Sequence, residues 1–105
     1  MKILCLCSGG KVRSVATSFY LHDALGHECL AAGVNAIFPE TLDYLCRWAD
    51  LVLCVEASMK THVAAEHQSK TRVLAVGPDV WGYFPSTTLI RKVKEAIEAA
   101  GIKKA

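Results

Sequence analysis

Ile3-Leu4-Cys5-Leu6-Cys7-Ser8-Gly9-Gly10-Lys11-Val12-Arg13-Ser14 is the stretch on which the reading of this chain turns. Ile3 to Leu6 is continuously apolar, as expected of a strand covered on both faces, and residues 2–7 read as that strand. Residues 8–13 form a loop with Gly9-Gly10 as its pivot. Ser14 to roughly Leu25 reads as a helix. Val15, Ser18, Phe19, His22 and Leu25 fall on one stripe, and Gly26 is placed to cap its end. Cys7 stands where the apolar run stops, and Arg13 follows six residues later. A thiol and a guanidinium on one strand-to-helix turn suggest a site for an oxyanion.

Working outward, Glu28 to Val34 is short and apolar enough for a second strand, with Gly33 as a weak point. Phe38-Pro39-Glu40-Thr41 looks like a helix entry, and Leu42, Leu45, Cys46 and Ala49 form its stripe. Leu51 to Val55 is the clearest strand. Ser58 is a suitable N-cap for a helix running to about His67. Arg72 to Val76 is the last strand, ended by the turn chemistry of Gly77-Pro78-Asp79. A loop with Trp81, Tyr83 and Phe84 follows. Pro85-Ser86-Thr87 starts a final helix with Leu89, Ile90, Val93, Ala96, Ile97 and Ala100 on its stripe and Gly101 as its stop. Alternation of this kind predicts an α/β three-layer sandwich around a four-stranded parallel sheet. Ligands of such sheets sit beyond the carboxyl ends of the strands, where Cys7, Glu56 and Gly77-Pro78-Asp79 all fall. Glu56 is read as structural.

Composition narrows the function. The 105 residues match a single domain spanning 1–105, and 52% hydrophobic content argues against disorder. A net charge of +2 with scattered basic residues gives no support to a nucleic-acid face. No apolar run is long enough for a membrane span, and the N-terminus lacks the features of a signal peptide, so a cytoplasmic protein is expected. Five cysteines and no secretory features argue against a disulfide framework. Cys5, Cys29, Cys46 and Cys54 sit among apolar residues, where cysteine behaves as a small hydrophobe. Cys5-x-Cys7 has no second Cys or His pair at matching spacing, and His62 and His67 are five apart. No metal or other cofactor is therefore expected.

The loop itself carries the chemistry. Ser8, Gly9, Gly10, Lys11, Val12 and Arg13 offer six consecutive backbone N–H groups, and the two glycines allow positive φ, so the run can curl into an anion nest. The helix start adds its positive dipole end, and Arg13 adds a planar fork matched to two phosphate oxygens. The same field should ionise Cys7 and make it a nucleophile, with Ser14 donating a hydrogen bond to the sulfur. Other glycine loops do not fit. In a Walker loop the first glycine would fall at Cys5, and Val12 follows Gly10-Lys11 where Ser or Thr is needed.

Cys7, five residues, Arg13 and Ser14 resemble the C-x5-R-[ST] signature of the low-molecular-weight protein tyrosine phosphatases. The closest likeness is to a short, compact branch of that fold. The likeness continues through Leu30-Ala31-Ala32-Gly33-Val34, Trp48-Ala49-Asp50-Leu51-Val52-Leu53 and Gly77-Pro78-Asp79-Val80-Trp81. It implies that Cys7 attacks phosphorus and forms a phosphocysteine, while Arg13 and the loop N–H groups hold the equatorial oxygens. Asp79 would protonate the leaving phenolate and then activate water, with Ser14 assisting the thiolate. Trp81 and Tyr83 would wall the substrate cleft. The implied substrate is a phosphorylated protein or small aryl phosphate, with inorganic phosphate as product. The chain departs from the family at three places. Gly10 stands where an asparagine commonly braces the loop, Val12 where many members have a second cysteine, and Val80 where a proline usually follows the acid. Two other readings share the loop: an arsenate reductase, which needs further cysteines to pass electrons, and a phosphate-binding module without turnover.

Overall fold

The structure is a computed structural model that describes residues 1–78, 80–81 and 86–105. The readings placed on Asp79, Tyr83 and Phe84 lie outside the described residues. In chain order the elements are β1 (Lys2–Cys7), α1 (Arg13–Asp23), β2 (Glu28–Gly33), α2 (Pro39–Trp48), β3 (Leu51–Cys54), β4 (Thr71–Val73) and α3 (Thr87–Ala99). The four strands form one sheet in the order β2-β1-β3-β4, and every pairing is parallel. That is the predicted architecture.

The layers follow from the order. The chain moves from β1 to β2, then returns across β1 to reach β3. Right-handed crossovers in opposite directions put α1 and α2 on opposite faces. α3 packs with α1, completing one outer layer. The centre of the sheet is apolar: Ile3, Leu4, Leu6, Val52 and Leu53 have no exposed surface. Leu89, Val93 and Ile97 of α3 are equally buried, on the stripe expected of that helix. The Ser86 hydroxyl caps its start by accepting from Leu89 N–H at 3.3 Å.

Four local expectations give way. The segment after β3 is not one helix from Ser58 to His67. It is two 3-10 turns, Ala57–His62 and Ala65–Lys70. The break falls at Val63, which is extended and buried. The Gln68 amide donates to the carbonyls of Lys60 and Val63, both at 2.8 Å, and fixes that break. The last strand stops at Val73 rather than Val76: β3 ends at Cys54, whose carbonyl accepts from Leu74 N–H at 2.7 Å just past the last paired residues. Leu74 and Val76 stay buried without belonging to the ladder. The face of α1 toward the sheet carries Ala16, Thr17 and Leu21, whereas Phe19 on the anticipated stripe is 45% exposed. Of the two loop glycines only Gly10 has positive φ.

Candidate phosphate-binding site

In the strand order β2-β1-β3-β4 the crossover direction reverses between β1 and β3. A crevice opens at such a switch point, beyond the carboxyl ends of the two strands. β1 delivers Cys7 to that crevice, and the loop of residues 8–12 leads into α1. The chain leaving β3 continues through Val55 and delivers Glu56.

The loop's shape is set by β2. Gly10 has φ +72°, and a β-carbon there would lie 2.5 Å from Gly33 N and 2.9 Å from Ala32 C. A β-carbon on Gly33 would in turn lie 2.3 Å from Gly9 C. The two backbones are therefore in direct contact, which only glycine permits at either position. Two hydrogen bonds continue the contact. Val34 N–H donates to Cys7 O at 2.9 Å, and Asn35 N–H donates to Ser8 O at 3.0 Å. Gly33, a weak point for a strand in the sequence, is thus the position that lets the loop lie against the strand end.

Cys7 is the focus of the loop. Its Sγ accepts from Gly10 N–H at 3.0 Å and lies 3.0 Å from Ser14 Oγ. Burial of the thiol favours its neutral form. The Ser14 hydroxyl outweighs that effect together with the backbone N–H groups of Ser14, Gly10 and Lys11, so the thiol is held below its ordinary value. Helix α1 adds to this because Val12 stands at its N-cap without a side-chain cap, and no acid occupies the first turn. The other thiols move the opposite way. Burial pushes Cys29 and Cys54 up to about 11, and also raises Cys5 and Cys46.

Arg13 begins α1, yet its side chain is 1% exposed. Its Nη1 donates to Glu56 Oε1 at 2.5 Å and to Gly77 O at 3.1 Å, and its Nη2 lies 3.4 Å from Ser8 Oγ. Glu56 therefore belongs to the site, although the sequence reading left it as structural. The signal for it was only its place at a strand end. The residues share a cleft of about 190 Å³ lined by Cys7, Ser8, Gly9, Lys11, Val12, Arg13 and Trp81. The structure thus brings together Cys7, Ser14, Arg13, the loop and Trp81. Among the described residues the buried Trp81 Nε1–H has no acceptor.

Asp43, Glu66 and His67 bring ligand-type atoms within 4.8 Å of one another, a grouping that spacing alone did not reveal. His67 Nε2 lies 2.9 Å from one Asp43 oxygen, and Arg47 Nε lies 3.3 Å from the other. None of these residues lines the loop cleft, and their contacts tie the 3-10 segment to α2.

What the arrangement can do chemically is bind a tetrahedral oxyanion over a thiolate. No family model and no curated protein sequence matches the chain. Solved structures do. The tyrosine phosphatase Wzb from Escherichia coli K30, in complex with phosphate, superposes with a TM-score of 0.72 at 20% identity, covering 94% of each chain. Vibrio vulnificus Wzb, in complex with benzylphosphonate, gives 0.67 at 21% identity over 95% of this chain and 94% of that one. The YwlE arginine phosphatase from Geobacillus stearothermophilus gives 0.64 at 18% identity over 90% and 84%. Strand order, loop position and these superpositions agree that the chain has the low-molecular-weight protein tyrosine phosphatase fold.

Proposed function

We propose that this protein is a cysteine-dependent phosphomonoester hydrolase acting on phosphotyrosine or a related aryl phosphate. The observation that carries the reading is Cys7 Sγ, with Gly10 N–H and Ser14 Oγ both 3.0 Å away, at the floor of a cleft that Arg13 also lines. A buried guanidinium beside a thiol held low is the charge pattern that a phosphoryl group requires.

The Cys7 thiolate attacks phosphorus in line with the ester oxygen. The S–P bond forms as the P–O bond breaks, and Asp79 gives its proton to the leaving phenolate. The loop N–H groups and Arg13 hold the three equatorial oxygens throughout. Water, deprotonated by the Asp79 carboxylate, then attacks the phosphocysteine. The S–P electron pair returns to Cys7, Ser14 steadies the sulfur as it leaves, and inorganic phosphate departs. Asp79 follows in sequence, by two residues, the Gly77 whose carbonyl accepts from Arg13. Trp81 supplies an apolar wall for an aryl group.

An arsenate reductase would need a second thiol able to reach Cys7 and pass electrons. Cys5, Cys46 and Cys54 are buried, and burial raises all three thiols. That weighs toward hydrolysis. The test is turnover of 4-nitrophenyl phosphate by wild type, Cys7→Ser and Asp79→Ala. Cys7→Ser abolishes turnover. Asp79→Ala slows poor leaving groups far more than 4-nitrophenolate, and equal slowing of both would remove Asp79 as the acid. Phosphate binding without turnover by wild type would leave a binding module.

A further inference from the structure

Resting on that phosphatase reading, we propose that the site selects phosphomonoesters bearing a second anionic group beside the scissile phosphate, and that Lys11 is the residue that selects them. The charges around the cleft are unequally matched. Arg13 is buried and its guanidinium is paired with Glu56. Lys11 belongs to the wall of the same cleft but is exposed. Among the described residues no carboxylate forms an ion pair with it. The sequence around it supplies none, since the first acidic residue of the chain is Asp23. The uncapped start of α1 adds further positive potential at the same place.

The division of labour follows from depth. A phosphate seated over Cys7 Sγ has its oxygens met by the loop N–H groups and by buried Arg13. A lysine at the exposed wall stands beside whatever the phosphate is attached to. With Trp81 forming another part of that wall, an aryl group entering the cleft carries its neighbouring substituents past Lys11. A carboxylate or second phosphate there gains an ion pair, and a cationic group meets repulsion. Exposed pairs of this kind give about a twofold to fivefold preference at low salt, and salt screens it.

The experiment compares kcat/KM for phosphotyrosine peptides that differ only in their flanks: glutamate, glutamine or lysine. A small aryl bisphosphate is run beside them to separate a peptide source of the second charge from a small-molecule one. Peptide flanks leave the scissile bond unchanged, so differences report recognition rather than leaving-group chemistry. For wild type the order is glutamate, then glutamine, then lysine, with about threefold between neighbours at low salt. In Lys11→Gln the three peptides converge, and in Lys11→Glu the order inverts. High salt flattens the wild-type series. If Lys11→Gln lowers all three peptides by one common factor, Lys11 serves the scissile phosphate alone and the proposal is overturned. It is also overturned if the wild type shows no order. If wild type hydrolyses no phosphomonoester at all, the phosphatase reading itself fails, and this inference falls with it.

Discussion

Replacing Ser14 by alanine removes one identifiable contributor to the ionisation of Cys7. The hydroxyl lies 3.0 Å from Sγ, and Ser14 has no exposed surface, so bulk water does not take its place. A hydrogen bond to a charged group contributes about 1.5–3 kcal/mol. Its loss moves the Cys7 thiol back up toward its ordinary value and, at a fixed pH on the acidic side, lowers the thiolate fraction about tenfold to hundredfold. The backbone donors from Gly10, Lys11 and residue 14 remain, so the rise stops short of undoing the whole cradle. The assay is the rate of alkylation by iodoacetamide as a function of pH, which reads the thiolate fraction directly. The acidic limb of kcat/KM should move upward in parallel. A fall in thiolate fraction of less than about twofold would refute the reasoning, because it would leave the backbone donors alone holding the thiolate. Stability gives an independent check with a fixed sign. The thiol is held below its ordinary 9.0 in the fold. Its contribution is therefore complete above that unfolded value and is lost as pH falls through the folded value. The stability difference between wild type and Cys7→Ser should accordingly grow with rising pH across that window, and grow less when both carry Ser14→Ala.

Two further substitutions separate the parts of the site. Glu56→Gln removes the carboxylate that pairs with Arg13 Nη1. Because Glu56 is 40% exposed, the pair contributes about 1 kcal/mol, so kcat/KM should fall about fivefold, with partial recovery in Glu56→Asp. An unchanged kcat/KM would show that the guanidinium is aimed without the Glu56 charge. Gly10→Ala forces a β-carbon to 2.5 Å from Gly33 N at φ +72° and should cost at least about 2 kcal/mol in denaturant unfolding. Gly9→Ala, with open space around the added carbon, should cost under about 1 kcal/mol. Equal costs at the two glycines would contradict the backbone contact described for Gly10.

The sheet was legible because its strands are short apolar runs bounded by turn residues, and their alternation with helices leaves few topologies. What misled the reading of α1 was its apolar content. Val15 and Phe19 look like core residues, whereas the sheet-facing positions are occupied by small Ala16 and Thr17 beside Leu21. Periodicity weighted by hydrophobicity selects the wrong side of such a helix. The segment from Ser58 to His67 spaces its buried Met59, Val63 and His67 four apart, which imitates a helix. The pattern does not show that side-chain bonds from Gln68 interrupt it. Within the site, the Cys7 to Ser14 loop was legible because one local stretch contains all of it. Glu56 was not, since its partner lies 43 residues earlier and only the sheet order makes them neighbours. The cost of a glycine in a strand was visible at Gly33, but its purpose required knowing which backbone it touches.

The contact between Gly10 and Gly33 gives the outermost strand authority over the loop. Among the described residues β2 is an edge strand, paired with β1. Edge elements open at lower free energy than the centre of a sheet. When β2 peels away, the anion cradle loses the surface that curls it, while β1 and β3 remain paired behind it. The two glycines also form a linked constraint on drift. Neither position accepts a side chain unless the other backbone moves, so any lineage that changes one of them must first reshape the strand end. The candidate phosphate loop is, in this sense, templated by a strand that contributes no side chain to the cleft lining among the described residues.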